Sequence, residues 1–205
     1  MKSTRFNPPI EWNPTVMDNQ KTRINRYFFG LIDMIGAVAH HFSFPYRENT
    51  KVIEIGSYSG ESTLLFASSL AFDKIYCIDP FEGEEGMNEI NNKIWTDVQA
   101  DFWQNTKWFN GNGKELGETE VELISDYSYN VVDKFEDKSI DFIYIDGSHK
   151  IEDIRSDIDL YLPKLKDSSF IAGHDYNWPG VEGLIKSYGK EVFHFGDESW
   201  LMKIV

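Results

Sequence analysis

The 205-residue chain is short of three things: thiols, positive charge and long apolar runs. Its one cysteine, Cys77, excludes an internal disulfide, and its place within Ile75-Tyr-Cys-Ile78 marks a buried, inert thiol of the kind a reducing compartment permits. Twenty lysines and arginines stand against 34 acidic residues, a formal net charge of −14. Binding to nucleic acid relies on basic side chains that release counterions from phosphates, so this balance argues against a nucleic-acid partner. No stretch approaches the roughly 18 apolar residues of a membrane span, and Met1-Lys-Ser-Thr-Arg-Phe6 lacks the apolar core of a secretory signal. The expectation is a soluble, cytoplasmic protein with no membrane partner.

What is present suffices for one core. With 41% hydrophobic and 15% aromatic residues, the length fits one domain, 1–205, better than two. Ile24, Tyr27, Phe28, Leu31, Ile32, Ile35 and Val38 recur at three- and four-residue steps, which predicts a helix over 20–42 within an N-terminal helical extension, 1–48. Pro45 and the polar residues after it stop that helix. Strands are then expected at 51–55, 74–78, 121–124, 140–145 and 168–172, with helices at 62–70, 129–135 and 151–165. Consecutive apolar residues in strands separated by helices indicate an α/β fold, a parallel sheet covered on both faces. Glu191–Phe195 and Trp200–Val205, separated by Gly196-Asp-Glu-Ser199, predict a terminal antiparallel hairpin. Residues 81–119, which carry Met87, Trp95, Phe102, Trp103 and Trp108, are too long for a plain loop and predict one or two helices inserted over the sheet edge.

Val52-Ile-Glu-Ile-Gly56 followed by Ser-Tyr-Ser-Gly60 is a strand, a glycine turn and a helix start, the usual seat of a nucleotide-like ligand in doubly wound folds. A dinucleotide fingerprint would place glycines where this chain has Tyr58 and Glu61. A bulky ring and an added negative charge there disfavour a pyrophosphate, and with it a nicotinamide oxidoreductase. Asp79 ends the next strand, where a carboxylate can accept hydrogen bonds from two ribose hydroxyls; the plainer alternative is a turn residue ahead of Pro80.

On these residues the chain resembles the class I S-adenosylmethionine-dependent methyltransferases, from about Thr50 to Val205 apart from the insert. Ser139-Ile-Asp-Phe-Ile-Tyr-Ile-Asp-Gly-Ser-His-Lys150 and Phe170-Ile-Ala-Gly-His-Asp-Tyr176 are similar to segments of a small-molecule O-methyltransferase group, related to macrolide-sugar O-methyltransferases and cephalosporin-hydroxylase-like proteins. The ending Ser199-Trp-Leu-Met-Lys203 resembles that group's last strand. The resemblance implies a seven-stranded, doubly wound, Rossmann-like sheet with a C-terminal antiparallel hairpin. It also implies S-adenosylmethionine as cofactor, with Glu54, Gly56, Ser57, Tyr58, Gly60 and Ser62 at the methionine end, and Asp79 and Pro80 at the ribose. Asp126 and Tyr127 are the implied adenine contacts, although Ser125-Asp-Tyr-Ser128 departs from the group's usual Gly-Asp-Ser. Asp146 borders both the cofactor and the chemistry.

Methyl transfer from a sulfonium needs an acceptor held at attack distance and relieved of its proton. Asp146 ends one strand and Asp175 follows the next, so both carboxylates are expected in one cleft. Two adjacent carboxylates repel unless a proton or a cation lies between them. Magnesium, or another divalent metal, held by Asp146 and Asp175 answers this, and in the resembling metal-dependent enzymes carboxylates at these strand ends bind magnesium. His174 as a further ligand would tilt the site toward manganese, iron or zinc. Histidine ordinarily titrates near neutrality, which makes His149 the preferred general base and His174 a second candidate for base or ligand. The alternative for Asp146 and Asp175 is a turn or helix cap, and for the histidines a loop anchor. His40, His41 and His194 are assigned no role.

The expected activity is O-methylation of a small-molecule acceptor. A cofactor-binding or biosynthetic accessory protein of the same fold, or a protein methyltransferase, remains the alternative. Aromatic residues from Phe6 to Trp12 and in the insert offer a surface for a homo-oligomer.

Overall fold

The computed structural model describes residues 28–43, 49–69, 71–82, 89–90, 93–106 and 119–204. The expected helix start at 20–27, the Phe6–Trp12 surface and much of the insert lie outside them.

Helix α1 (Phe29–Ser43) precedes strand β1 (Lys51–Ile55), helix α2 (Glu61–Ser68) and strand β2 (Lys74–Ile78). Among its described residues the insert holds a short hairpin, β3 (Glu89–Ile90) with β4 (Lys93–Ile94), and a helix, α3 (Trp95–Thr106). Strand β5 (Glu120–Ile124), short helix α4 (Ser128–Val131), strand β6 (Ile140–Ile145) and helix α5 (Ile151–Tyr161) follow. Strand β7 (Leu165–Gly173), helix α6 (Val181–Ser187) and strands β8 (Val192–His194) and β9 (Trp200–Lys203) complete the order. The sheet has seven strands in the order β5-β2-β1-β6-β7-β9-β8. Neighbours from β5 to β7 run parallel, whereas β9 is antiparallel to both β7 and β8.

Alternation along each strand sorts side chains onto two faces. Val52, Phe142 and Tyr144 pack with α1, α2 and α3, through residues such as Leu31, Met34, Phe66 and Phe102. Ile53, Ile55, Ile143 and Ile145 pack with α5 and α6, through Ile154, Ile158, Val181 and Ile185. The strands are therefore apolar on consecutive positions because both faces are covered. From β1 the chain first builds outward to β2 and β5, then returns to place β6 on the other side of β1. That reversal opens a crevice beyond the carboxyl ends of β1 and β6.

The elements differ from expectation mainly at their ends. The helix expected over 151–165 stops at Tyr161 and continues as a 3-10 turn, Leu162–Lys164, because Pro163 lacks the amide that a helix interior uses. The helix expected over 129–135 likewise splits into α4 and a 3-10 turn, Val132–Lys134. Strand β7 is longer than expected and kinks within its run, with Ser168 at φ 59° and a register shift against β6. Helix α1 is tied to the far end of the chain: the Leu31 amide donates to Asp197 Oδ2 at 2.7 Å, in the turn between β8 and β9. Only glycine fits beside that contact, since a Cβ on Gly30 would lie 2.1 Å from Asp197 Oδ1.

Candidate active site

The crevice has two halves. The first is the turn from β1 into α2. Gly56 adopts φ +86°, and a Cβ there would lie 2.3 Å from the carbonyl oxygen of Asp146, so a side chain is excluded by conformation and by space together. The Gly60 amide donates to Ser57 O at 2.8 Å and closes the turn. Beneath it, the fully buried Glu54 carboxylate accepts the hydroxyls of Ser62 and Thr63, which fastens the first turn of α2 to β1. Burial pushes the Glu54 carboxyl above its ordinary range, against the pull of these hydroxyls.

Asp79 fastens the same turn from the side. Its Oδ2 accepts the Tyr58 amide at 2.8 Å, and its Oδ1 accepts the Phe81 amide at 2.7 Å. Burial raises its pKa, and these amides oppose the rise. Each oxygen keeps a second lone pair for a ligand hydroxyl. Helix α3 covers the turn, an arrangement the sequence did not disclose: Asn105 Nδ2 donates to Ser59 O at 2.8 Å, and Phe102 and Thr106 lie against Gly60. The insert thus packs on the glycine turn and α2. The Ser57 hydroxyl is buried with no partner among the described residues, and α2 has no side-chain cap at its N-terminus. A helix end without a side-chain cap leaves amides for an anionic group and fits the carboxylate of the methionine end of S-adenosylmethionine.

Asp126 and Tyr127 follow β5, beside β2. Asp126 Oδ1 accepts the Tyr127 amide and Asn130 Nδ2, both at 2.8 Å, and these bonds lower its pKa. Tyr127 stacks on Tyr129 and donates its hydroxyl to Glu82 at 2.9 Å, linking the loops after β2 and β5.

The second half lies at the ends of β6 and β7. Asp146, His174 and Asp175 offer ligand atoms that all lie within 4.8 Å of one another. Bonds to their main chain set them there: the Asp146 amide donates to Ile55 O at 2.8 Å, the His174 amide to Ile145 O at 3.2 Å, and the Trp200 indole to His174 O at 2.9 Å. Asp175 sits at φ 59°, an uncommon conformation for a residue with a side chain. It lies between the two imidazoles, 3.0 Å from His174 Nδ1 and 3.3 Å from His149 Nε2. Tyr144 donates its hydroxyl to Asp146 at 3.3 Å. Neither carboxylate caps a helix, since the N-cap residues of α5 and α6 are Lys150 and Gly180, with no side-chain cap bond at either.

Burial pushes Asp146 up to about 7, with His174 opposing and Asp175 adding to the rise. Burial works against a charged His174, yet the hydrogen bond to Asp175 and the charges of Asp146 and Asp175 carry it up to about 9. Burial would raise Asp175, but His174 holds it below its ordinary value. Two carboxylates and an imidazole at this spacing are a reasonable donor set for a divalent cation. The Gly56–Asp146 contact joins the two halves, so the acid cluster adjoins the start of the glycine turn. His194, given no role from sequence, stacks on Tyr176 at 4.6 Å, and His41 contacts Ser168 O at 3.2 Å.

Comparison with known proteins gives this geometry a context. A family model described as "Methyltransferase domain" matches residues 53–176, from β1 through the acid cluster. An uncharacterized protein of Sinorhizobium fredii, y4gI, is 25% identical over 129 residues; the match takes in 61% of this chain but only 13% of that protein's length. Among solved structures, a putative caffeoyl-CoA O-methyltransferase from Staphylococcus aureus superposes with a TM-score of 0.59 at 16% identity, covering 95% of this chain and 92% of that one. The O-methyltransferase TomG from Streptomyces achromogenes, solved in complex with S-adenosylmethionine, gives 0.55 at 11% identity, covering 96% and 91%. At such identities the structural likeness speaks for the fold.

Proposed function

Because the chain belongs to the class I S-adenosylmethionine-dependent methyltransferases, we propose that it methylates a hydroxyl of a small-molecule acceptor at the Asp146–His174–Asp175 cluster. One observation carries this reading: the backbone contact between Gly56 and Asp146 sets the acid–imidazole cluster directly beside the glycine turn. The O-methyltransferases that share the fold support it.

S-adenosylmethionine, when bound, supplies an activated sulfonium methyl. The chain's own part is then to bind and to move a proton. Ser57, Gly60 and the start of α2 receive the methionine end, and Asp79 and Pro80 the ribose; Asp126 and Tyr127 border the adenine. His149, anchored through Nε2 by Asp175, takes the proton from the acceptor hydroxyl. His174 and Asp146 set the charge of the cleft floor. Asp146, Asp175 and His174 would hold a divalent cation, magnesium or a softer ion that accepts imidazole, whose chemistry is to lower the pKa of an oxygen bound to it.

Calorimetry with S-adenosylmethionine and S-adenosylhomocysteine, followed by release of S-adenosylhomocysteine across a panel of hydroxylated metabolites, tests the proposal. Binding and turnover are expected, with turnover falling at least about a hundredfold in His149→Ala, the range for loss of a general base. Cofactor binding without turnover on any panel member would favour an accessory protein of the same fold. No binding of either compound to folded protein would remove the cofactor assignment.

A further inference from the structure

Helix α5 carries one residue that its packing does not explain. Ile154, Ile158 and Tyr161 form its buried stripe against the sheet, and Asp157 lies on the same stripe, 7% exposed. Packing alone would select an apolar side chain there, because a buried carboxylate costs stability unless it is hydrogen-bonded. Asp157 Oδ1 accepts the Ser128 hydroxyl at 2.5 Å. One helical turn on, the Tyr161 hydroxyl donates to Ser128 O at 2.8 Å. Successive turns of α5 therefore grip the side chain and the main chain of a single residue. Burial pushes the Asp157 carboxyl up to about 6, with the Ser128 hydroxyl opposing and Asp153 adding to the rise. It is thus ionised at neutral pH, and a hydrogen bond to an ionised oxygen is the stronger kind. Ser128 opens α4 directly after Asp126 and Tyr127, the residues proposed to border the adenine. Those two are folded onto α4: the Asn130 amide donates to Tyr127 O at 3.0 Å, and Asn130 Nδ2 to Asp126 Oδ1 at 2.8 Å. What holds Ser128 holds the loop.

We infer that Asp157 is a positioning residue for the base of the cofactor: acting through Ser128, it sets the place from which Asp126 and Tyr127 meet the adenine. This rests on the proposed cofactor placement and adds to it a residue that acts from beneath the loop. Two further side-chain bonds of the loop, from Tyr127 to Glu82 and from Gln99 to Ser125 at 3.2 Å, are exposed to water. The shielded bond to Asp157 is the firmer constraint.

Calorimetry that compares S-adenosylhomocysteine with S-ribosylhomocysteine, its counterpart without the adenine, tests this. Asp157→Ala and Ser128→Ala remove the bond from its two sides, whereas Asp157→Asn keeps an oxygen to accept it. In both alanine variants affinity for S-adenosylhomocysteine should fall about tenfold, the size of one hydrogen bond to a charged group, while affinity for the base-free compound stays within about twofold. Asp157→Asn should remain within about threefold of wild type for both compounds. Alanine suits a helix interior, so Asp157→Ala is expected to fold, and Ser128→Ala, which deletes one oxygen atom, decides the matter if it does not. Where the base-free compound binds too weakly to titrate, amide exchange without ligand takes its place: exchange in the alanine variants should quicken at Asn130 and stay unchanged at Gly60. Unchanged affinity for S-adenosylhomocysteine in both alanine variants overturns the inference. Equal losses for the two compounds, or equal exchange at Asn130 and Gly60, overturn it too, because Asp157 would then serve the fold alone. So does an Asp157→Asn variant as impaired as Asp157→Ala, or a wild type that binds both compounds equally. Failure of S-adenosylhomocysteine to bind wild type is a separate outcome and removes the underlying methyltransferase reading.

Discussion

The two halves of the crevice use their carboxylates differently. On the β1–β2 side, Glu54 and Asp79 are each engaged by two donors of the chain itself: Ser62 and Thr63 hydroxyls for one, Tyr58 and Phe81 amides for the other. On the β6–β7 side, Asp146 and Asp175 meet each other and two imidazoles, and Asp175 is held at φ 59°. The first half is a scaffold that exists before any ligand arrives. The second carries like charges and backbone strain, features that persist only when the surrounding structure enforces them. Disturbing the first should be felt as lost stability and cofactor affinity, disturbing the second as altered titration.

The comparison is broken most severely at the seam. Gly56→Ala places a Cβ into the Asp146 carbonyl at a backbone angle that alanine resists. A loss of at least about 3 kcal/mol is expected, with a melting temperature lower by about 10 °C and no measurable cofactor binding. A variant that melts like wild type would mean that the two halves are not joined there. A smaller effect is expected from Asp79→Ala, which leaves the Tyr58 and Phe81 amides without their acceptor. Denaturant unfolding should show a loss of about 2–3 kcal/mol, and calorimetry an S-adenosylmethionine affinity lower by about tenfold. Lost affinity at unchanged stability would make Asp79 a ligand contact alone.

The smallest effect sharpens the comparison. Asp146 and His174 both bind their protons more tightly in the folded chain than in the unfolded one. Their contribution to stability is therefore full at acid pH and is lost as pH rises through about 7 for Asp146 and about 9 for His174. In chelator and without cofactor, this contribution to the melting temperature should decline from about pH 4 to 7 through Asp146 and from there to about pH 9 through His174. Asp146→Asn should decline less, since one titrating group is gone and His174 has lost a neighbouring charge. Equal slopes would place the pH dependence elsewhere.

Much of this was legible in the sequence, for identifiable reasons. Runs such as Lys51–Ile55 and Ile140–Ile145 are apolar on both faces, so their strands and the parallel sheet followed from pattern. Asp146, His174 and Asp175 were readable as one cluster because strand ends in a parallel sheet share an edge. Contacts between backbones distant in sequence were not. Nothing in the residue types says that Asp79 would engage the Tyr58 amide, that Asn105 would reach Ser59, or that Trp178 would border His149. The kink at Ser168 was hidden for a similar reason: Asp167-Ser-Ser169 has the composition of a turn, yet it lies inside β7.

The bond from Leu31 to Asp197 spans 166 residues of sequence. At a translation rate of about 5–20 residues per second, α1 is made roughly ten to thirty seconds before the residue that receives its first-turn amide exists. The Gly196–Glu198 turn is thus a late clasp, and chain emerging from the ribosome carries an α1 whose first turn stays unfastened until that turn is made. A nascent chain halted before Asp197 should be open to protease around α1 after its parallel strands have become resistant.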